Sequence, residues 1–362
     1  MEVHGATGVD TKIRIREPKQ YRKSIGGMLF ATTYEEYKKH FEKSKSLIDE
    51  ILSNVCRLSC RENGFMIQAG NQKEIRTMNR SFEWKNKKIG LVLSGGGAKG
   101  AYQIGMFRAL EELRLTDRIR VISGTSIGAL NGMAYASGGV SGVRSMMFGF
   151  GEQMAVVKKQ TSQKQIAVSR EAVSRGAVTV EQFAENPDFS EYDAGVLAAF
   201  LQKLLPDKAL QAYSRSMYAC AYSLNRCRPE YFHLNGRKPQ EQRDLILASA
   251  SLPFVFPPVK YQESYFLDGG VVPQVCGVHA ERADKIPLKP VLLESVDAIL
   301  VNFLNPADQI DTSGVPEQMD YMEIRPSRPL EKYPGEGTLD FSEGRMKEHE
   351  ALGYRDTMEV FQ

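Results

Sequence analysis

The chain is poor in the residues that mark a disulfide scaffold, a metal centre or a membrane span. It has five cysteines in 362 residues: Cys56, Cys60, Cys220, Cys227 and Cys276. They are odd in number and form no Cys-x-x-Cys pair, which excludes a disulfide framework and a zinc ribbon and fits thiols of a reducing, cytoplasmic compartment. The five histidines, His4, His40, His233, His279 and His349, show no ligand spacing, so neither a metal nor a cofactor is expected. No apolar run approaches the roughly 18–20 residues of a membrane span. The opening Met-Glu-Val-His-Gly lacks a basic stretch followed by an apolar core, so no secretory signal is expected there. Dense interleaving of basic and aromatic residues is also missing, which argues against a nucleic-acid groove.

What is there is ordinary for a globular chain: 42% hydrophobic and 25% charged residues, with a net charge of +3. That composition excludes disorder or a coiled coil as the main architecture. The length suits one large α/β domain with an extension. Charge is unevenly placed, with 18 Lys and Arg against 11 Asp and Glu in residues 1–88, and 29 against 33 in the remainder. A division follows, with an N-terminal extension over 1–86 and a main domain over 87–362. The extension carries a helix expected from Tyr34 to Cys56 and a short strand at Phe65 to Gln68. Its basic balance suits an anionic membrane surface, a regulatory ligand or a protein partner, beside the plainer reading of a solvated helix face.

From Ile89 onward, strand and helix patterns alternate. Aliphatic runs predict strands at 89–94, 119–123, 217–223, 231–234, 264–267 and 298–304, the last clear buried strand. Helical spacing predicts helices over 98–114, from Ile127 to about Ser137, near 193–204 and over 240–250. The stretch 154–182 is mixed, and 252–259 is proline-rich and apolar. Such alternation predicts a mainly parallel central sheet covered by helices on both faces, with the active site at the carboxyl ends of its strands.

One such end carries Gly95-Gly-Gly-Ala-Lys-Gly100. A glycine loop between strand and helix leaves N–H groups pointing beyond the sheet, ready for an anion or an oxyanion. A phosphate-binding P-loop needs Lys-Ser or Lys-Thr after its last glycine, but Gly100 is followed by Ala101 and Tyr102. Gly95-x-Gly97-x-x-Gly100 formally matches a dinucleotide fingerprint. The acidic residue that should hold a ribose is then Asp117, which lies before the next strand rather than at its end. An oxyanion hole needs a nucleophile, and the next strand supplies one. Ile119 to Ser123 runs into Gly124-Thr-Ser-Ile-Gly128 and a helix rich in small residues. Gly-x-Ser-x-Gly at a strand-to-helix turn is a nucleophile elbow, which lifts the Ser126 hydroxyl above the sheet.

A hydroxyl needs a base. No histidine has a convincing motif around it: His233 sits in a strand pattern, and His349 lies in Lys347-Glu-His-Glu350, which reads as an exposed helix face. Asp268, at the end of a predicted strand and freed by Gly269 and Gly270, can lean over the elbow. Taken alone, Asp-Gly is also a common turn.

Together, Gly95–Gly100, Gly124–Gly128 and Asp268-Gly-Gly270 resemble the patatin-like phospholipase family, in that family's order. The segment Ala248-Ser-Ala-Ser-Leu-Pro-Phe-Val-Phe-Pro-Pro258 resembles the one that precedes the family's aspartate. Leu339–Ser342 with Gly353-Tyr354 looks like its C-terminal helix region. The similarity covers roughly 88–300, extends weakly to 355 and leaves 1–86 unexplained. It implies a Ser126–Asp268 dyad without histidine and an oxyanion hole from Gly95, Gly96, Gly97 and Ala98. It also implies a lipid acyl hydrolase acting on phospholipid or lysophospholipid esters at a membrane surface through an acyl-serine. The apolar segment 248–259 and the mixed stretch 154–182 are expected to wall or cover its acyl channel. Three other readings stay open: a hydrolase of soluble esters or thioesters, a nucleotide-binding protein, and a non-catalytic lipid-binding protein. Acyl position, headgroup preference and oligomeric state are not written in these motifs.

Overall fold

The computed structural model describes residues 83–362, apart from 157–169, 174–177, 187–188, 193 and 334–335. Residues 1–82 of the expected extension, with its helix and its strand at Phe65, therefore lie outside the described residues.

Strand β1 (Ile89–Leu93) is followed by a 3-10 turn (Gly97–Gly100) and helix α1 (Ala101–Glu112). Strand β2 (Ile119–Thr125) then feeds α2 (Ile127–Val156). The helix expected to stop near Ser137 instead breaks at Gly139, where φ is 63°, and resumes as far as Val156. Short helices α3 (Val180–Glu185), α4 (Ala194–Leu204) and α5 (Asp207–Ala212) lead to the pair β3 (Ser216–Ser223) and β4 (Arg228–His233). Next come α6 (Pro239–Ala250), β5 (Val259–Tyr261) and β6 (Ser264–Asp268). A turn of helix α7 (Lys289–Leu292), strands β7 (Ala298–Asn302) and β8 (Asp320–Ile324), and α8 (Glu343–Phe361) complete the chain.

The strands form one sheet in the order β5-β6-β3-β2-β1-β7-β8, with β4 also paired to β3. Pairs β3-β2, β2-β1, β1-β7 and β7-β8 are parallel, while β4, β5 and β6 join antiparallel. The mainly parallel sheet expected from the alternation is what forms.

Alternation of side chains along β1 feeds two cores. Ile89, Leu91 and Leu93 face a large cluster with residues of α1, α2, α4, α6 and α8. Val92, Val121, Ile299 and Val301 face a smaller one, closed by Ile286, Leu288, Val291 and Val296 around α7. The faces are thus covered unequally, by long helices on one side and by one helical turn with its flanking segments on the other. Helix α8 is clamped to α1 by the Tyr102 hydroxyl, which donates to Asp356 across 3.0 Å. Trp84 packs edge-on against Phe361 with ring centres 5.7 Å apart, so the chain just ahead of β1 joins the same core.

Candidate active site

Strand pairing alone brings two of the three motifs together. Along β3, residues 216–220 pair with β2, ending at Thr125 opposite Cys220. Residues 218–223 pair with β4, which occupies the other edge. Strand β6 therefore shares the β2 edge and runs antiparallel to β3, with Asp268 opposite Ala221. The carboxyl ends of β2 and β6 meet nearly head-on across neighbouring β3 residues. Ser126 follows the first end, and Asp268 is the last residue of the second.

The elbow at Ser126 is strained in the way the motif predicts. Its φ is 57°, a left-handed value that a residue with a Cβ adopts at a cost of order 1–3 kcal/mol. Gly124 and Gly128 permit the turn because they nearly touch: a Cβ on Gly124 would lie 2.4 Å from the Gly128 carbonyl carbon, and one on Gly128 would lie 2.3 Å from the Leu93 oxygen. The Ser126 N–H donates to the Ser249 hydroxyl (2.9 Å), which in turn donates to the Cys220 carbonyl (2.6 Å). That amide is therefore occupied, and the glycine loop is left as the source of free donors beside the serine.

The loop is built to present them. Gly96 and Gly97 are half-buried against the cavity, and Gly97 and Ala98 open a 3-10 turn, whose leading N–H groups lack intrahelical acceptors. Gly97 has a φ of +58°, and a Cβ there would stand 2.0 Å from the Thr338 oxygen, so no side chain fits. Both ends of the loop are pinned by buried amides. Gln103 donates to the Ser94 carbonyl (3.1 Å) and to Asn302 (3.0 Å). Asn131 donates to the Gly100 carbonyl (3.1 Å) and to Gln103 (2.8 Å). Gly95 lies nearest the serine, with its Cβ position 3.2 Å from the Ser126 Cβ.

Asp268 is only 3% exposed. Burial pushes its carboxyl up from the ordinary 3.8 to about 6, against the pull of hydrogen bonds from the Ser126 hydroxyl and the Gly270 N–H and of the Lys285 cation. The Gly270 bond measures 2.8 Å. The Asp268 N–H donates to the Ser251 carbonyl (2.9 Å), and Gly269 passes hard against the Cys220 carbonyl. The carboxylate lines the same cavity as Ser126, and no described histidine lines it.

Ser126, Asp268, Gly95, Gly96 and Gly97 open into one cavity of about 410 Å³. Its walls are apolar, with Leu130, Phe150, Leu252, Phe256 and Phe341, and its rim carries the exposed Val271 and Leu339. Ala250, Leu252 and Phe256 come from the apolar segment expected to wall an acyl channel. Of the 154–182 stretch, also expected there, 157–169 and 174–177 lie outside the described residues, and its described residues do not line the cavity.

The motifs do not reveal the segment that laces them together. Thr125 Oγ1 donates to the Asp284 carbonyl (2.7 Å), the Asp284 N–H to the Gly269 carbonyl (2.9 Å) and the Gly95 N–H to the Lys285 carbonyl (3.0 Å). Two consecutive residues thus tie the elbow, the aspartate turn and the glycine loop. The Asp284 carboxyl, itself raised by burial, accepts from the Tyr231 hydroxyl and the Ile286 N–H. The two histidines whose side chains are described stay apart from the site. His233 is exposed on β4 and packs on the Tyr218 ring at 4.8 Å. His349, read above as exposed, is 4% exposed on α8.

An elbow serine and a buried carboxylate lining one cavity beside a glycine loop, at the carboxyl edge of a mainly parallel sheet, form the layout of an α/β serine hydrolase. The patatin-like phospholipase family matches residues 91–276, and the chain belongs to that family. Over 198 residues it is 30% identical to the lysophospholipase nte1 of Aspergillus terreus, covering 53% of this chain and 11% of that protein. The Aspergillus niger lysophospholipase nte1 is 30% identical over 191 residues, covering 51% and 10%. The chain thus spans about a tenth of the length of these curated relatives. Among solved structures, VipD from Legionella pneumophila is similar at a TM-score of 0.37 and 14% identity, over 76% of this chain and 66% of that one. Human GIVD cytosolic phospholipase A2 is similar at 0.33 and 11%, over 67% and 48%. Among the described residues, no helix is long and apolar enough to cross a membrane.

Proposed function

We propose that this protein hydrolyses carboxylic ester bonds of phospholipids or lysophospholipids with a Ser126–Asp268 dyad. The observation that carries the reading is that the strained elbow serine and a buried carboxylate line one apolar cavity beside the glycine loop. Ser126 Oγ attacks the ester carbonyl as its proton passes to Asp268. A carboxyl lifted to about 6 is a better base than a solvated one and remains ionised at neutral pH. The amides around Gly96, Gly97 and Ala98 receive the tetrahedral oxyanion, each well-placed donor contributing about 2.7–4 kcal/mol. Collapse returns the proton to the departing alcohol and leaves an acyl-Ser126. Water activated by Asp268 then releases the fatty acid and restores both residues.

Phospholipid rather than soluble ester is favoured by the apolar wall and by Val271 and Leu339, 36% and 47% exposed at the rim of the same cavity. Residues 87–362 are the catalytic domain in this reading, and 1–86 give access to a membrane surface or a regulatory partner. A fluorophosphonate should label Ser126 alone, and purified protein should release fatty acid from micellar lysophosphatidylcholine. Labelling that survives Ser126→Ala would refute the nucleophile. Activity on monomeric esters with none on micelles would favour a soluble esterase.

A further inference from the structure

Two cations line the cavity, and they differ in their surroundings. Lys99 is 5% exposed and closed off by Glu331 at 3.0 Å. The Lys285 side chain is 33% exposed and pairs with Asp308, itself 21% exposed, across 2.7 Å. The Lys285 stem crosses the site entrance, with its Cγ 3.3 Å from the Cβ position of Gly270 and 3.7 Å from that of Gly95.

Both members of this pair are held from behind. Lys285 is anchored by its carbonyl, which accepts from Gly95. Asp308 lies in the loop after β7, where its N–H donates to the Asn305 carbonyl (3.2 Å). Arg325 pins the same loop through the carbonyls of Asp308 (2.6 Å) and Pro306 (3.3 Å). That arginine is fixed in turn by Glu323 at 2.6 Å and by the Phe303 ring at 3.5 Å. The pair is therefore a preorganised plus-minus couple whose lysine lines the cavity and whose aspartate stands directly behind it, not two free surface chains.

An ester seated with its acyl chain against Phe150 and Phe256 and its carbonyl at the glycine loop sends its polar end out past this couple. We propose that Lys285 and Asp308 form a headgroup subsite for zwitterionic phospholipids, Lys285 taking the phosphate and Asp308 the terminal ammonium. The inference rests on the phospholipid reading given above. A partly exposed ion pair is held only weakly against water, so a ligand can rearrange it. A lone phosphate must compete with Asp308 for Lys285. A zwitterion brings an opposite charge to each partner, and every charge in the group of four gains a neighbour.

The test begins with the unaltered protein hydrolysing p-nitrophenyl butyrate. Glycerophosphocholine should inhibit competitively and more strongly than inorganic phosphate, and glycerol should not inhibit. Equal inhibition by glycerophosphocholine and glycerol would overturn the subsite, and inhibition by phosphate as strong as by glycerophosphocholine would overturn the zwitterion pairing. Lys285→Met should lower the ratio of kcat/KM for a short-chain, monomeric lysophosphatidylcholine over that for p-nitrophenyl butyrate about tenfold, mainly through KM. Lys285→Arg should restore most of the ratio. Asp308→Asn should shift preference from lysophosphatidylcholine toward lysophosphatidic acid. A folded Lys285→Met protein with an unchanged ratio would refute the assignment. A wild-type protein active on butyrate but inert on every lipid would refute the phospholipid reading instead, and the glycerophosphocholine result would still decide the pair.

Discussion

Replacing Asp268 with asparagine should abolish turnover and stabilise the fold, and the stabilisation should depend on pH in a defined way. The carboxyl rises from 3.8 to about 6 on folding because burial penalises its charged form. A carboxyl raised by folding favours the native state fully below its unfolded value, and that contribution is lost as pH climbs through the folded value. In wild-type protein the penalty is therefore near zero below pH 3.8 and complete above about pH 6. Taking 1.36 kcal/mol per tenfold change in acidity, it amounts to about 3 kcal/mol near pH 7.5 and about 1 kcal/mol near pH 4.5. An asparagine removes the titration, accepts from Gly270 through its oxygen and donates to Ser126 through its nitrogen. Urea unfolding of both proteins at the two pH values measures the gap. It should widen by about 2 kcal/mol between them in favour of Asp268→Asn. A gap independent of pH, or one that narrows as pH rises, would refute the argument that Asp268 is buried as a charge. With the proposed dyad, the same carboxyl should set an acid limb of kcat/KM near pH 6, since only its ionised form would take the serine's proton.

The left-handed backbone at Ser126 should make Ser126→Gly more stable than Ser126→Ala by about 1 kcal/mol in chemical denaturation, although both are inactive. An alanine as stable as the glycine would mean that the elbow carries no strain. Gly97→Ala should reduce turnover at least a hundredfold, because its Cβ would overlap the Thr338 oxygen at 2.0 Å and push the loop off the oxyanion position; near-normal kcat would remove the loop from the chemistry. His233→Ala should keep most activity, since the ring is exposed on β4, and its loss in a folded protein would favour a triad. Raising salt, or neutralising Lys38, Lys39, Lys43 and Lys45 together, should weaken binding to anionic vesicles more than hydrolysis of a monomeric ester. Unchanged vesicle binding in both would return that stretch to a solvated face, or to an intramolecular or oligomer contact.

The parts of the fold legible in the sequence are those whose side chains declare their environment. Strands β1, β2, β3, β6 and β7 carry aliphatic or alternating runs, and each forms close to its expected place. Strands β5 and β8 were not expected. Both contain charged residues and are exposed or half-buried along most of their length, so their sequences look like loop. His349 misleads because its neighbour Glu350 is charged, yet Glu350 is 5% exposed and is matched by Arg108 and Arg144. A charge buried with its partners is indistinguishable in sequence from one in water. The three glycine motifs were legible because backbone that must turn or touch restricts residue type. Asp284 and Lys285 were not, because they join the motifs through main-chain N–H and C=O groups, which nearly any residue supplies.

The absence of histidine from the proposed dyad places a demand on the cavity rather than on any one residue. A carboxylate in water is too weak a base for a hydroxyl, and a glycine-loop amide in water stabilises an oxyanion only modestly. Both defects have one remedy, the exclusion of water. The apolar surroundings that lift Asp268 toward 6 also strengthen every hydrogen bond aimed at the developing negative charge. On the proposed reading, Phe150, Phe256 and Leu130 therefore act on the chemistry as well as holding an acyl chain. A substrate whose chain fills the cavity dries the dyad further. On this argument, turnover rises with acyl length by more than tighter binding supplies, because part of the chain's contact energy appears in kcat.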